Sequence, residues 1–102
     1  MYVTAERQKD ELIIFADGEM DEHSAANARR IADSVIEEHR DCRRVVFDLE
    51  KVSFMDSTGI GFLIGRFKLC KRYGMTAYVR DPNPSTDKIL SVSGVYTLLP
   101  RI

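Results

Sequence analysis

A chain of 102 residues has room for one compact domain, and we predict a single domain over residues 1–102. With 44% hydrophobic and 30% charged residues, the composition is that of a folded globular domain, neither a disordered chain nor a membrane span. The net charge is −1 and the positive residues are scattered, which argues against a nucleic-acid-binding surface.

The first third of the chain predicts a hairpin followed by a helix. Weak alternation over Tyr2–Gln8 and the apolar run within Glu11–Ala16 predict two strands that pair with each other. A helix is then predicted to run to about His39, with either Asp21 or Ser24 as its N-terminal cap. Its buried stripe would consist of the apolar residues at helical spacing, namely Ala28, Ile31, Ala32, Val35 and Ile36.

The middle of the chain predicts a buried strand and a second helix. Three consecutive apolar residues within Arg44–Leu49 indicate a central parallel strand that is buried on both faces. A loop over Glu50–Asp56 is predicted to lead into a helix over Thr58–Tyr73, which Gly74 ends. The apolar spacing that predicts this helix is that of Ile60, Leu63, Ile64 and Phe67.

The last third predicts a strand over Thr76–Val79, a short helix over Ser85–Val92 and a final strand over Val95–Leu99. Asn83 followed by Pro84 suits the cap and first turn of that helix. The predicted order is therefore β-β-α-β-α-β-α-β. Strands that alternate with helices imply an α/β fold, with a mostly parallel mixed sheet and α-helices packed on it.

Ser57 places a hydroxyl at the junction between the central strand and the second helix. The first amides of a helix lack partners within it and the helix dipole is positive there. A phosphate on Ser57 would therefore meet a site suited to an anion. The other interpretation is that Asp56 or Ser57 simply caps the helix. The junction alone leaves both interpretations open.

No catalytic motif is present. Neither histidine lies near Ser57 in the sequence, and the glycine pattern ending at Gly65 does not match a dinucleotide fingerprint. His39 and Cys42 could supply two metal ligands, whereas a structural zinc site needs four. We therefore predict a binding module with no catalytic residues, no cofactor and no metal.

Two glycines within the second helix need a reason, because each costs about 1 kcal/mol relative to alanine. Gly61 and Gly65 are four residues apart and share a face. They either pack closely against the sheet or form a flat surface on which a partner lies. Asp21 has a similar pair of interpretations, as a helix cap or as a contact to a partner. The exposed side near the glycines is predicted to present Arg66, Lys68 and Arg72.

With these residues, the chain resembles the STAS domain of bacterial anti-sigma-factor antagonists. The resemblance covers nearly the whole chain and rests on Gly18–Asp21, Val46–Leu49, Val52–Gly61, Leu63–Lys68 and Ser93–Val95. The core Asp56–Gly61 is typical of the family at large, and Ile64–Lys68 looks most like the sporulation anti-sigma F factor antagonists. Family members usually continue into a final helix, whereas this sequence stops at Ile102.

The resemblance implies a switch at one serine. In this family the serine after the motif aspartate is phosphorylated by the anti-sigma factor, which is itself a serine kinase, and a metal-dependent phosphatase removes the phosphate. The unphosphorylated antagonist binds the anti-sigma factor and frees the sigma factor. The phosphorylation site would then be Ser57, and the partner-binding residues would be Asp21, Asp56, Ser57, Thr58, Gly59, Gly61 and Gly65.

Two alternatives remain from the sequence. One is an accessory STAS subunit of a transporter or stress-signalling complex that is not phosphorylated. The other is a small phosphoryl-carrier or nucleotide-hydrolysing enzyme, which the absence of a base, a Walker lysine and metal ligands disfavours. Two cysteines without a disulfide framework and no visible secretory signal predict a cytoplasmic location, with neither nucleic acid nor membrane as a direct partner.

Overall fold

The computed structural model describes all residues, 1–102, and shows a four-stranded sheet and three α-helices. In chain order the elements are β1 (Tyr2–Gln8), β2 (Glu11–Met20), α1 (Glu22–Glu38), β3 (Arg44–Met55), α2 (Ser57–Arg72), β4 (Thr76–Arg80), α3 (Pro84–Val92) and a 3₁₀ turn (Val95–Thr97). The sheet order is β1-β2-β3-β4, in which β1 and β2 are antiparallel and the other pairs are parallel. The predicted hairpin and the predicted α/β class with a mostly parallel mixed sheet are confirmed.

One apolar core joins the three helices to the sheet. Alternate residues of the central strands enter this core, including Ile14 of β2 and Phe47 of β3, each 1% exposed. The Phe47 ring meets the Phe62 ring of α2 edge to face, with centroids 6.5 Å apart. From α1 the buried residues are Ala25, Ala28, Ala32 and Ile36, while the predicted Ile31 and Val35 are half-buried.

The most buried side of α2 is not the apolar stripe whose spacing predicts the helix. Leu63 is buried as expected, whereas Ile60, Ile64 and Phe67 are only half-buried. Their spacing fits a helix, but the rotation of the helix is set by Phe62, which packs on Phe47. The buried residues of α2 are therefore Gly59, Phe62, Leu63, Arg66 and Cys70.

Two predictions about strands are wrong. Residues 50–55, predicted as a loop, continue β3, because β2 remains paired with β3 as far as Met20 and Met55. The predicted last strand is instead a 3₁₀ turn that follows Gly94, whose φ of 81° is left-handed. Val95 and Leu99 are both buried, whereas Thr97 between them is exposed. A strand would place all three residues on one face, and a helical turn does not.

Candidate functional site

The carboxyl ends of β2 and β3 bring two helix starts together. These strands are parallel, and their last paired residues are Met20 and Met55. The next residues, Asp21 and Asp56, are the N-terminal caps of α1 and α2. The sheet register therefore places both carboxylates and the start of both helices at one edge of the sheet, where sites form in open parallel sheets.

Asp56 caps α2 and leaves Ser57 free. Its carboxylate accepts a hydrogen bond from the Thr58 amide at 2.8 Å, and its carbonyl accepts from the amides of Gly59 and Ile60 at 3.0 and 3.3 Å. Ser57 is the first residue of the helix and is exposed. The capping interpretation therefore holds for Asp56, and the Ser57 hydroxyl remains accessible to a modifying enzyme.

The same contacts revise the predicted anion site. Asp56 already satisfies most of the first-turn amides of α2, so a phosphate on Ser57 would find few unpaired donors there. The positive end of the helix dipole still favours negative charge at this position. A phosphate would therefore be tolerated by the fold and would stand out into solvent beside the Asp56 carboxylate.

Asp21 also acts as a cap. Its carboxylate accepts hydrogen bonds from the Ser24 amide at 3.4 Å and from the Ser24 hydroxyl at 3.3 Å. Of the two capping candidates, Asp21 is thus the cap and Ser24 is its donor. Asp21 is half-buried, so part of its carboxylate still faces solvent. A contact from Asp21 to a partner stays a prediction.

The three glycines of α2 have different environments. A Cβ at Gly59 would lie 2.4 Å from the Met55 Cγ and 3.1 Å from the Met20 Cβ, so this buried glycine permits close packing of the helix on the sheet. A Cβ at Gly61 or Gly65 would meet nothing within 4 Å. The close-packing interpretation is therefore wrong for Gly61 and Gly65, and we leave buried Gly59 out of the surface proposed below.

A continuous stripe along α2 runs from the margin of the core to solvent, and we call it the α2 outer face. Each member has another member three or four residues away, and all are exposed or half-buried. Lys68, at its C-terminal end, is charged, and the other members are neutral. The α2 outer face consists of Ser57, Ile60, Gly61, Ile64, Gly65 and Lys68.

We expect alanine variants of the three glycines to differ in their free energy of unfolding. Gly61→Ala and Gly65→Ala should each raise the free energy of unfolding by about 0.5–1 kcal/mol, because alanine is the better helix former. Gly59→Ala should lower it by about 1 kcal/mol through overpacking against Met55. Urea unfolding of the three variants measures this order. A Gly65→Ala variant less stable than wild type would restore the packing interpretation.

Arg66 is not part of the exposed surface, contrary to the prediction. Its side chain is 10% exposed, and its Nε lies 2.7 Å from the Asp33 Oδ1 of α1. Burial lowers the pKa of the Arg66 guanidinium, and the Asp33 charge opposes that shift. Arg66 thus ties α2 to α1. Lys68 and Arg72 are exposed as predicted.

Two exposed apolar side chains were not predicted from the sequence, one on β3 and one on α3. Phe54, three residues before Ser57, is 51% exposed, and Val92 at the end of α3 is 81% exposed. A contiguous exposed apolar patch marks an interaction site, and Val92 lies with Ile60 and Ile89 along one groove. The exposure of Phe54 could not be predicted because residues 50–56 were predicted as a loop. The position of Val92 beside α2 could not be predicted because the sequence of α3 does not indicate which helix it contacts.

One group of acidic side chains lies outside this edge. Carboxylate oxygens of Asp48, Glu50 and Asp81 are within 4.8 Å of one another, but Asp48 is ion-paired to Arg80 at 2.7 Å. His39 and Cys42 are not members of this group. None of the three α-helices has the length and apolarity that crossing a bilayer requires.

Comparison with known proteins shows which family and which solved structures this chain resembles. The STAS domain model matches residues 2–101. An anti-sigma F factor antagonist of Paenibacillus polymyxa is 33% identical over 100 residues, which are 98% of this chain and 85% of that protein. The anti-sigma factor antagonist SpoIIAA in its unphosphorylated form superposes with a TM-score of 0.81 at 22% identity, over 99% of this chain and 88% of that one. The phosphorylated form of Bacillus SpoIIAA gives 0.73 at 22% identity, over 99% and 91%.

The fold and the edge therefore define a small α/β domain that presents an exposed serine at a helix start. The chain belongs to the STAS domain family.

Proposed function

We propose that this protein is an anti-sigma-factor antagonist whose binding is controlled by phosphorylation of Ser57. The observation that carries the proposal is the exposed Ser57 hydroxyl, which stands free at the start of α2 because Asp56 provides the cap. The relative from Paenibacillus polymyxa bears the name anti-sigma F factor antagonist, and SpoIIAA is described in both phosphorylated and unphosphorylated forms.

In this proposal, the α2 outer face is the surface that the anti-sigma factor covers. A Cβ at Gly61 or Gly65 would meet nothing within the fold, and the missing side chains let a partner backbone approach the helix closely. Asp21 and Asp56 flank the serine and would contact the partner through the parts of their carboxylates that face solvent. The unphosphorylated protein would bind here and release the sigma factor from its inhibitor.

The switch would act locally. Phosphorylation adds about −1.5 to −2 charges at neutral pH. The new charge would lie beside the Asp56 carboxylate and next to the helix start capped by Asp21, so a partner surface fitted to a bare hydroxyl would meet repulsion and bulk. No rearrangement of the sheet is needed. The kinase would be the anti-sigma factor itself, and a metal-dependent phosphatase would restore the hydroxyl.

The modification site can be tested directly. The protein is incubated with its cognate anti-sigma factor and ATP, and the phosphate is located by mass spectrometry. We expect one phosphate, on Ser57, and none on the Ser57→Ala variant. Thr58 is the neighbouring hydroxyl residue against which the assignment is compared. It is half-buried, and its backbone amide donates a hydrogen bond to the Asp56 carboxylate. Phosphate found mainly on Thr58, or on no residue, would refute the assignment.

A further inference from the structure

An apolar groove lies between α2 and α3, directly beside the proposed partner surface. It has a volume of about 370 Å³ and is lined by Ile60, Lys88, Ile89, Val92 and Ser93. Ile60 belongs to both the groove and the α2 outer face, and it is one helical turn from Ser57. The groove is therefore a continuation of the surface that carries the serine.

The area that a stable complex needs favours use of this groove. A specific protein–protein interface buries about 800 Å² on each partner, and its affinity comes mostly from a few well-packed apolar anchors. Ser57, Gly61 and Gly65 provide little apolar area. Val92 is 81% exposed and lies along the groove with Ile60 and Ile89, where an apolar side chain of a partner would meet apolar groups.

The charge at the groove indicates which partner occupies it. Lys88 is the charged residue among those that line it, and lysine can bury its stem along an apolar wall while its ammonium stays in water. In a symmetric pair of copies whose two-fold axis passes through the groove, the groove meets its own copy and the two Lys88 side chains approach each other. Like charges disfavour that arrangement, whereas a carboxylate on a different protein would be attracted.

We propose that the groove receives an apolar side chain of the anti-sigma factor, with a carboxylate of that partner facing Lys88. This inference rests on the proposed function and adds to it a second contact that does not involve the phosphorylated residue. The Ser57 end of the interface controls binding, and the Ile60–Ile89–Val92 groove supplies an apolar anchor.

The test compares two variants with the same added charge on the same helix. Val92→Asp should weaken binding to the purified cognate anti-sigma factor, supplied with ADP, by about tenfold or more. Ser91→Asp, an exposed neighbour that does not line the groove, should change the affinity by less than about threefold. Lys88→Glu should weaken binding more than Lys88→Gln. Thermal unfolding checks that each variant is folded, which the exposure of Val92 favours.

The outcomes separate the two proposals. Wild-type protein that neither binds the anti-sigma factor nor accepts phosphate would overturn the proposed function and this inference with it. Wild-type protein that binds and is phosphorylated, with Val92→Asp binding equally well, would overturn the inference alone. Sedimentation adds a third outcome: a wild-type dimer that Val92→Asp converts to a monomer would assign the groove to a second copy and overturn the inference.

Discussion

Phosphorylation of Ser57 is expected to weaken binding of the anti-sigma factor by about 100-fold. That factor corresponds to about 3 kcal/mol, which repulsion and desolvation at an interface with unpaired charge can supply. The added phosphate finds few free first-turn amides to bind, because Asp56 accepts hydrogen bonds from those of Thr58, Gly59 and Ile60. Its charge is therefore directed at the partner. Titration calorimetry with phosphorylated and unphosphorylated protein gives the two affinities.

Two variants accompany this measurement. Ser57→Ala should bind the anti-sigma factor as tightly as the unphosphorylated protein and should stay bound in the presence of ATP. Ser57→Asp should bind less tightly than Ser57→Ala but more tightly than phosphoserine, because it carries one charge on a shorter side chain. Its circular dichroism spectrum should match that of wild type. Equal affinity of Ser57→Ala and the phosphorylated protein would argue against electrostatic control at this residue.

The second large effect is expected at the ion pair between α1 and α2. Asp33→Ala should lower the free energy of unfolding by about 1–2 kcal/mol, because it leaves the Arg66 guanidinium buried without its partner. The estimate is below the value for a fully buried pair, since Asp33 is 40% exposed. Arg66→Met should cost less than about 1 kcal/mol, because a methionine of similar volume needs no counter-charge.

The double variant decides why these single variants differ. Asp33→Ala combined with Arg66→Met should be more stable than Asp33→Ala alone, because the unpaired charge is gone. Urea unfolding of wild type, both single variants and the double variant completes the cycle. A double variant less stable than Asp33→Ala would show that Arg66 stabilises the helix pair through its other contacts, including its position 5.3 Å from the Phe62 ring centroid.

The helix starts could be predicted from the sequence because their signals are local. Asp21, Asp56 and the pair Asn83-Pro84 stand where each helix begins, and a cap acts over two or three residues. Gly74 likewise follows α2 with a φ of 73°, which favours glycine. The position of the serine at the start of α2 could therefore be predicted from the sequence alone.

The errors arose where contacts between distant residues decide the structure. The end of β3 depends on pairing of Met55 with Met20, and nothing within residues 50–55 indicates that strand partner. The outward side of α2 depends on packing of Phe62 against Phe47, because periodicity alone allows more than one rotation of the helix. The ion pair of Arg66 joins two helices for the same reason.

The surface beside Ser57 could not be predicted for the same reason, because it also depends on contacts between distant residues. The sequence leaves open whether Gly61 and Gly65 pack on the sheet or form a partner surface. Only the structure shows that a Cβ at either position would meet nothing within 4 Å. The groove formed with Val92 depends on how α3 lies against α2 and has no signature in either helix.

Amide chemical shifts of the protein with and without authentic phosphate on Ser57 test the local switch most directly. The account predicts changes confined to the start of α2 and to the neighbouring end of β2 near Asp21, with the rest of the sheet unchanged. Affinity for the anti-sigma factor, measured on the same samples, should fall by about 100-fold. Shift changes spread across all four strands would contradict the local mechanism, as would an unchanged affinity.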